Sequence, residues 1–220
     1  MGRYPVFLDL EERPVLVVGG GQVAARKMPA LLASGAAVTV VSPELHPGLW
    51  EHAREGRIRW IPRRYVEGDE SGFILVFALT DSTGVNDRVV GRTRGFVNSA
   101  TFSRGHPIFL PFSVSAGPLT VAVGSEQGDP VLVRDVGKTL EELLNGRGIP
   151  DFLEEHIALR ETLRKQGKGP GEVSELLASF SVAWAMGTRD REARLEAYGA
   201  LCGRDLADAV RRNLEHRENA

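Results

Sequence analysis

The stretch "VLVVGGGQVAARK", Val15 to Lys27, constrains the fold more than any other. Four apolar residues run into three glycines, and a helical pattern begins at once, so the chain must pass from a buried strand through a tight turn into a helix. Gly19, Gly21 and Ala24 fit the spacing G-x-G-x-x-G/A in the context that its mechanism requires. The first position allows the turn, the second lets backbone approach a pyrophosphate, and the third permits close packing of helix on strand. Gln22 and Val23 open the helix, whose N-terminal N–H groups suit an anion. The competing reading is a purely structural glycine turn.

The region around this turn repeats its pattern. Between Pro14 and Pro111 short apolar runs alternate with helical segments, as expected of βαβ units in a parallel sheet. Strands are expected at "PVLVVGG", "AAVTVVSP", "IRWIP", "FILVFALTD" and "GFVNSA", with helices at "QVAARKMPALLASG", "ELHPGLWEHAREG" and "TGVNDRVVGRTR". Gly35 is the expected C-cap of the first helix, and Pro29 is expected to kink it. A ribose-binding carboxylate belongs at the end of the second strand, where this chain has Ser42 and, two residues on, Glu44. No arginine stands there to meet a 2′-phosphate, which favours NAD over NADP. Thr80 and Asp81 end the fourth strand, where open sheets bind ligands, and either also suits the N-cap of the next helix.

After Pro111 the texture changes to strand, loop and amphipathic helix, and from about Ile149 charges and apolar residues mix at helical spacing, with a break at "GKGPGE". The expected division is residues 1–112, an α/β nucleotide-binding domain of Rossmann type; 113–148, a small α+β domain; and 149–220, a helical tail.

Charge and composition narrow the function classes. With 27 basic and 29 acidic residues, the chain has no field that would recruit nucleic acid or an anionic membrane. No run is long and apolar enough for a transmembrane helix, and the N-terminus reads as no secretion signal, so a cytoplasmic protein is expected. Cys202 is the single cysteine, which excludes an intrachain disulfide and is expected to be an inert thiol; no metal site is read.

Taken in order, "YPVFLDLEERPVLVVGGG", "GGGQVAARK", "ALTDSTGVNDRV", "VNSA" with "FLP", and "LTVAVGSEQGDPVLVR" resemble the precorrin-2 dehydrogenase / sirohydrochlorin ferrochelatase family, which also forms the N-terminal part of siroheme synthase. The resemblance covers Tyr4 to about Leu144. It implies an NAD-binding Rossmann domain, a dimerisation domain over 113–148 that makes a homodimer, and a helical C-terminal region. It also implies oxidation of precorrin-2, a tetrapyrrole, to sirohydrochlorin with NAD as cofactor. The methyltransferase domain of siroheme synthase has no room in 220 residues, so the implied form is the stand-alone one.

One departure bears on the chemistry. The family pattern Asn-x-x-Asp, whose aspartate is assigned to catalysis, falls on Asn98 and Thr101. A hydroxyl is no general base without help and a poor ligand for iron, so dehydrogenase activity is expected to persist while ferrochelatase activity is weak or absent. His106 is the first candidate to substitute, with Asp81, Glu126 and Asp129 behind it. Asp129 resembles the position of a family serine and reads first as an N-cap, second as a substrate-facing carboxylate. A polycarboxylate substrate calls for basic side chains, for which Arg104, His106 and Arg134 are candidates, with the helix-borne Arg26 and Lys27 more remote. Two other classes compete: a non-catalytic NAD- or tetrapyrrole-binding sensor with the same fold, favoured by the loss at Thr101, and a generic NAD-dependent dehydrogenase for a small metabolite.

Overall fold

Five short apolar runs pair as a parallel sheet: β1 (Pro14–Val18), β2 (Ala37–Val41), β3 (Ile58–Ile61), β4 (Leu75–Ala78) and β5 (Phe96–Ser99), in the order β3-β2-β1-β4-β5. The computed structural model describes residues 3–101, 108–126, 129–188 and 190–218. They divide into two units, Met1–Leu110 and Pro111–Ala220.

In the first unit β1 is central and buried on both faces, which is why it reads as a continuous apolar run rather than an alternating one. Val15 and Val17 point to one side, under α1 (Gln22–Ala33) and α2 (Pro47–Arg54). Leu16 and Val18 point to the other, under α3 (Thr83–Arg92). Met28 of α1 is fully buried, a contribution of about 1.5–3 kcal/mol.

The expected helix boundaries shift where cap chemistry decides. The first helix is capped at its C-terminus by Ser34, with Gly35 following at φ +70°, and it runs from Gln22 to Ala33 through Pro29, which lies on the exposed face. The second begins only at Pro47, because His46 Nδ1 accepts from the Gly48 N–H at 3.1 Å and Pro47 fills the first helical position. The N-cap of α3 is neither Thr80 nor Asp81 but Ser82, whose hydroxyl accepts from the Val85 N–H.

Glu70, in the connection from β3 to β4, is nearly fully buried. Its carboxylate accepts from the Tyr65 hydroxyl at 2.7 Å, the Gly68 N–H at 3.0 Å and Arg92 Nε at 3.0 Å, tying that connection to α3.

The second unit opens with an antiparallel hairpin of β6 (Phe112–Ala116) and β7 (Leu119–Val123). Its helix α4 (Pro130–Gly146) packs on β6, and a Cβ at Gly137 would lie 2.1 Å from the Phe112 ring, so the missing side chain is what lets the ring lie on the helix in this position. The tail breaks at Lys165 to Pro170 as expected, and also at three further points, giving α5 (Ile149–Lys165), α6 (Pro170–Ala178), α7 (Val182–Gly187), α8 (Arg191–Cys202) and α9 (Arg204–Glu218). These share an apolar core around Phe152, Leu159, Tyr198 and Leu214. Inside it Glu155 and Arg194 form a buried ion pair, with Nε to Oε2 at 2.7 Å and Nη1 donating to the Thr188 carbonyl at 2.9 Å. Cys202 is half-buried, and burial raises its thiol.

Burial works to raise the Glu70 carboxyl, but the hydrogen bonds from Tyr65, backbone N–H groups and Arg92 outweigh it and hold the group below its ordinary range. A depressed carboxylate stabilises the fold above its unfolded-state value and loses that contribution as pH falls through its folded value. Glu70→Gln is expected to cost about 1–3 kcal/mol at neutral pH, with the gap to the unaltered protein closing below about pH 4. Urea unfolding of both proteins across pH checks this.

Candidate functional site

The carboxyl ends of β1, β2 and β4 converge on the glycine turn, and their backbones come close enough to exclude side chains. Gly19 adopts φ +107°, and a Cβ there would stand 2.5 Å from the Leu79 carbonyl oxygen and 3.0 Å from the Thr80 nitrogen. Gly20, to which sequence reading gave no role, is equally constrained. A Cβ there would stand 2.4 Å from the Glu44 carbonyl oxygen and 3.0 Å from Ser42 Cβ. The Gly19 N–H donates to Val41 O at 2.9 Å, and Gly20 O accepts from the His46 N–H at 2.7 Å, so Gly19 is stitched to the end of β2 and Gly20 to the N-cap of α2.

Gly21 differs from its neighbours. It is the exposed N-cap of α1 in extended backbone (φ −82°, ψ −166°), and nothing lies within 4 Å of where a Cβ would be. Gln22 is exposed, Val23 half-buried, and Ala24 buried against the sheet. The first turn of α1 has neither a side-chain cap nor an acidic residue, so its first N–H groups and the positive end of the helix dipole have no side-chain partner at the cap. A tight backbone turn with open space at Gly21, next to an uncapped helix N-terminus, fits the pyrophosphate of a dinucleotide.

Beside the turn, Ser42 is buried and its carbonyl accepts from the Trp60 indole N–H at 2.9 Å, while Glu44 is exposed. Of the basic pair, Arg26 is exposed but Lys27 is half-buried, 5.6 Å above the Phe77 ring centroid. Burial, reinforced by Arg26, lowers its ammonium from the ordinary lysine value.

On the other side, the ends of β4 and β5 are joined by a residue to which sequence reading assigned no role. Asn86, in α3, is fully buried and hydrogen-bonds to Thr80 and to Thr101. Its place three residues before Val89 and four before Val90, on the apolar stripe of the helix, was the available signal. Thr101 is half-buried; its N–H donates to Ser99 Oγ at 3.2 Å, and the two hydroxyl oxygens are 3.2 Å apart. Asn98 Nδ2 reaches the Ile108 carbonyl at 3.5 Å, and Asp81 is exposed. Gly19, Gly21, Ser42, Glu44, Thr80 and Thr101 thus occupy one edge of one sheet.

In the second unit Asp129 caps α4, with Oδ1 accepting from the Val131 and Leu132 N–H groups at 2.9 and 3.1 Å. Arg134 is exposed on the same helix, and the two line one shallow surface depression with Lys138. Glu126 is exposed. Arg104 and His106 lie outside the described residues. Among the described residues no three His, Cys, Asp or Glu side chains cluster as metal ligands, and no helix is long and apolar enough to cross a membrane.

Residues 6–111 match a family model described as putative NAD(P)-binding. The chain is 41% identical over 148 residues to a siroheme synthase of Methylobacillus flagellatus, covering 66% of this chain and 32% of that protein. It is 37% identical over 171 residues to siroheme synthase 3 of Aeromonas hydrophila, covering 76% and 36%. The chain therefore spans about a third of the length of these curated relatives. Among solved structures it is similar to SirC, precorrin-2 dehydrogenase, with a TM-score of 0.71 and 27% identity over 84% of this chain and 92% of that one. The nucleotide-binding match, the siroheme synthase relatives and the likeness to SirC point the same way: the chain is similar to siroheme synthases over about a third of their length and to a precorrin-2 dehydrogenase over most of its length.

Proposed function

We propose that this protein oxidises precorrin-2 to sirohydrochlorin with NAD, as a cytoplasmic enzyme of siroheme biosynthesis. The observation that carries the proposal is the likeness to a precorrin-2 dehydrogenase over nearly the whole of that protein. It favours the enzyme over the sensor and over a generic dehydrogenase, since the relatives are named for siroheme synthesis.

The oxidation removes two electrons and two hydrogens from the macrocycle, one as hydride and one as a proton. Bound NAD supplies the hydride acceptor. The chain's own part is to bind, orient and manage the proton. The first-turn N–H groups of α1, from Gln22 onward, and the backbone of Gly19 to Gly21 hold the pyrophosphate, while Ala24 keeps the helix close to the sheet. Ser42 and Glu44 serve the adenosine ribose. Thr80 and Asp81, at the end of β4, line the cofactor toward the reacting carbon. Thr101, next to them, hydrogen-bonds to the macrocycle and places it, which is the larger share of what hydride transfer needs. Its hydroxyl does not ionise near neutral pH, so the proton leaves to water or to His106.

Arg104, Arg134 and the end of α4 near Asp129 are proposed to meet the substrate's carboxylates. The segment 113–148 is proposed as the dimerisation domain of a homodimer, with residues 149–220 as its helical extension. In support, Val131, Leu132, Val136 and Leu143 leave apolar side chains of α4 exposed.

Gly21→Asp has room for its side chain and is expected to fold, yet it sets a carboxylate where the pyrophosphate lies. NAD affinity measured by calorimetry should fall at least about tenfold, and unchanged affinity in the folded variant would remove the turn from the site. Anaerobic assay with precorrin-2 and NAD, followed by ferrous iron, is expected to show oxidation with little metal insertion. Thr101→Asp, which supplies a carboxylate, should then gain chelatase activity. Rapid iron insertion by the unaltered protein, lost in the variant, would place the metal guide elsewhere.

A further inference from the structure

Asn86 is a polar residue at a position built for an apolar one. It is fully buried, and the neighbouring Val85, Val89 and Val90 of α3 pack into the apolar cluster beneath that helix. An amide there is costly unless its hydrogen bonds are made. All four sites of the carboxamide find partners on two residues. Oδ1 accepts from the Thr80 N–H at 3.1 Å and from the Thr80 hydroxyl at 2.7 Å. Nδ2 donates to the Thr80 carbonyl at 2.9 Å and to Thr101 Oγ1 at 3.4 Å. The orientation of the amide is fixed by this set, because the reverse would set a donor against the Thr80 N–H and an acceptor against the Thr80 carbonyl.

A structural role in starting the helix is already filled, since Ser82 caps α3. Joining the strands is filled as well: β4 and β5 are in register from Leu75↔Phe96 to Ala78↔Ser99, and the Ala100 N–H donates to Ala78 O at 2.9 Å. What Asn86 adds lies beyond the last strand bond, at the two residues that the functional reading puts against cofactor and macrocycle.

We propose that Asn86 is a positioning residue for the oxidation, acting through Thr101 on the substrate and through Thr80 on the cofactor. It clamps the Thr80 peptide on both edges, and with its remaining N–H it donates to Thr101 Oγ1, which also lies 3.2 Å from Ser99 Oγ, so that Asn86 helps to set how this hydroxyl meets the macrocycle. The 3.4 Å contact is the longest of the four, and such bonds tighten when substrate fills the site. This inference rests on the dehydrogenase reading above.

The test is a cycle of Asn86→Asp, Thr101→Val and the double variant, each checked for folding by circular dichroism. Asn86→Asp preserves shape but replaces the donor Nδ2 by an acceptor. The expected result is a kcat for precorrin-2 oxidation about tenfold lower in Asn86→Asp, but less than about twofold lower when the same change is made on Thr101→Val. The Kd for NAD, read by calorimetry, should rise about threefold or more in either background, through Thr80. Independent multiplication of the two kcat losses, or a lowered melting temperature with kcat and Kd unchanged, would overturn the proposal. Should Asn86→Asp fail to fold, Asn86→Ser carries the same comparison. If the unaltered protein binds NAD without oxidising precorrin-2, the dehydrogenase reading fails by itself. The Thr80 arm then stands or falls on the NAD affinities alone.

Discussion

The close approach of three backbones at the carboxyl edge of the sheet is the constraint on which the site depends. Gly19 touches the residues just after β4 and Gly20 the connection that follows β2, each at a distance where one methyl group would collide with a carbonyl oxygen. Because β1 is central, that contact fixes where α1 begins and in which direction its first N–H groups point. The cost of glycine in the unfolded chain is accepted here because no other residue lets strand, turn and helix meet. Gly21, with open space before it, is the member of the run that needs no glycine for packing; its small size matters for what approaches from outside.

From this edge the chemistry is divided between backbone and side chain. The turn presents backbone N–H groups without charged side chains, whereas the neighbouring ends of β4 and β5 are tied by neutral hydrogen bonds centred on Asn86. A site of this kind suits a reaction in which positioning carries more than proton transfer.

Much of this architecture is legible in the sequence, for local reasons. The apolar runs at Val15, Val38 and Leu75 and the glycines after the first are short-range signals, and the sheet follows from their alternation with helices. Helix starts were less legible because competing caps stand side by side: Thr80, Asp81 and Ser82 are all suitable, and the hydroxyl of Thr80 is taken by Asn86. Asn86 itself reads as an ordinary polar residue until its place on the apolar face of α3 is set beside its partners, one of which is fifteen residues away. The Glu155–Arg194 pair has no local signal at all, being separated by thirty-nine residues and made only when α5 and α8 pack. Gly137 is legible only once Phe112 is seen lying on it.

The central claim is that the turn from Gly19 to Val23 and the end of β4 form one nucleotide-binding edge. Backbone hydrogen exchange with and without NAD tests it most directly, because it reads N–H groups rather than activity. NAD should slow exchange at Gly21, Gln22 and Val23 and at Thr80, leaving the N-terminal turns of the other helices unchanged. Protection confined to another helix N-terminus, or none at saturating NAD, would contradict it.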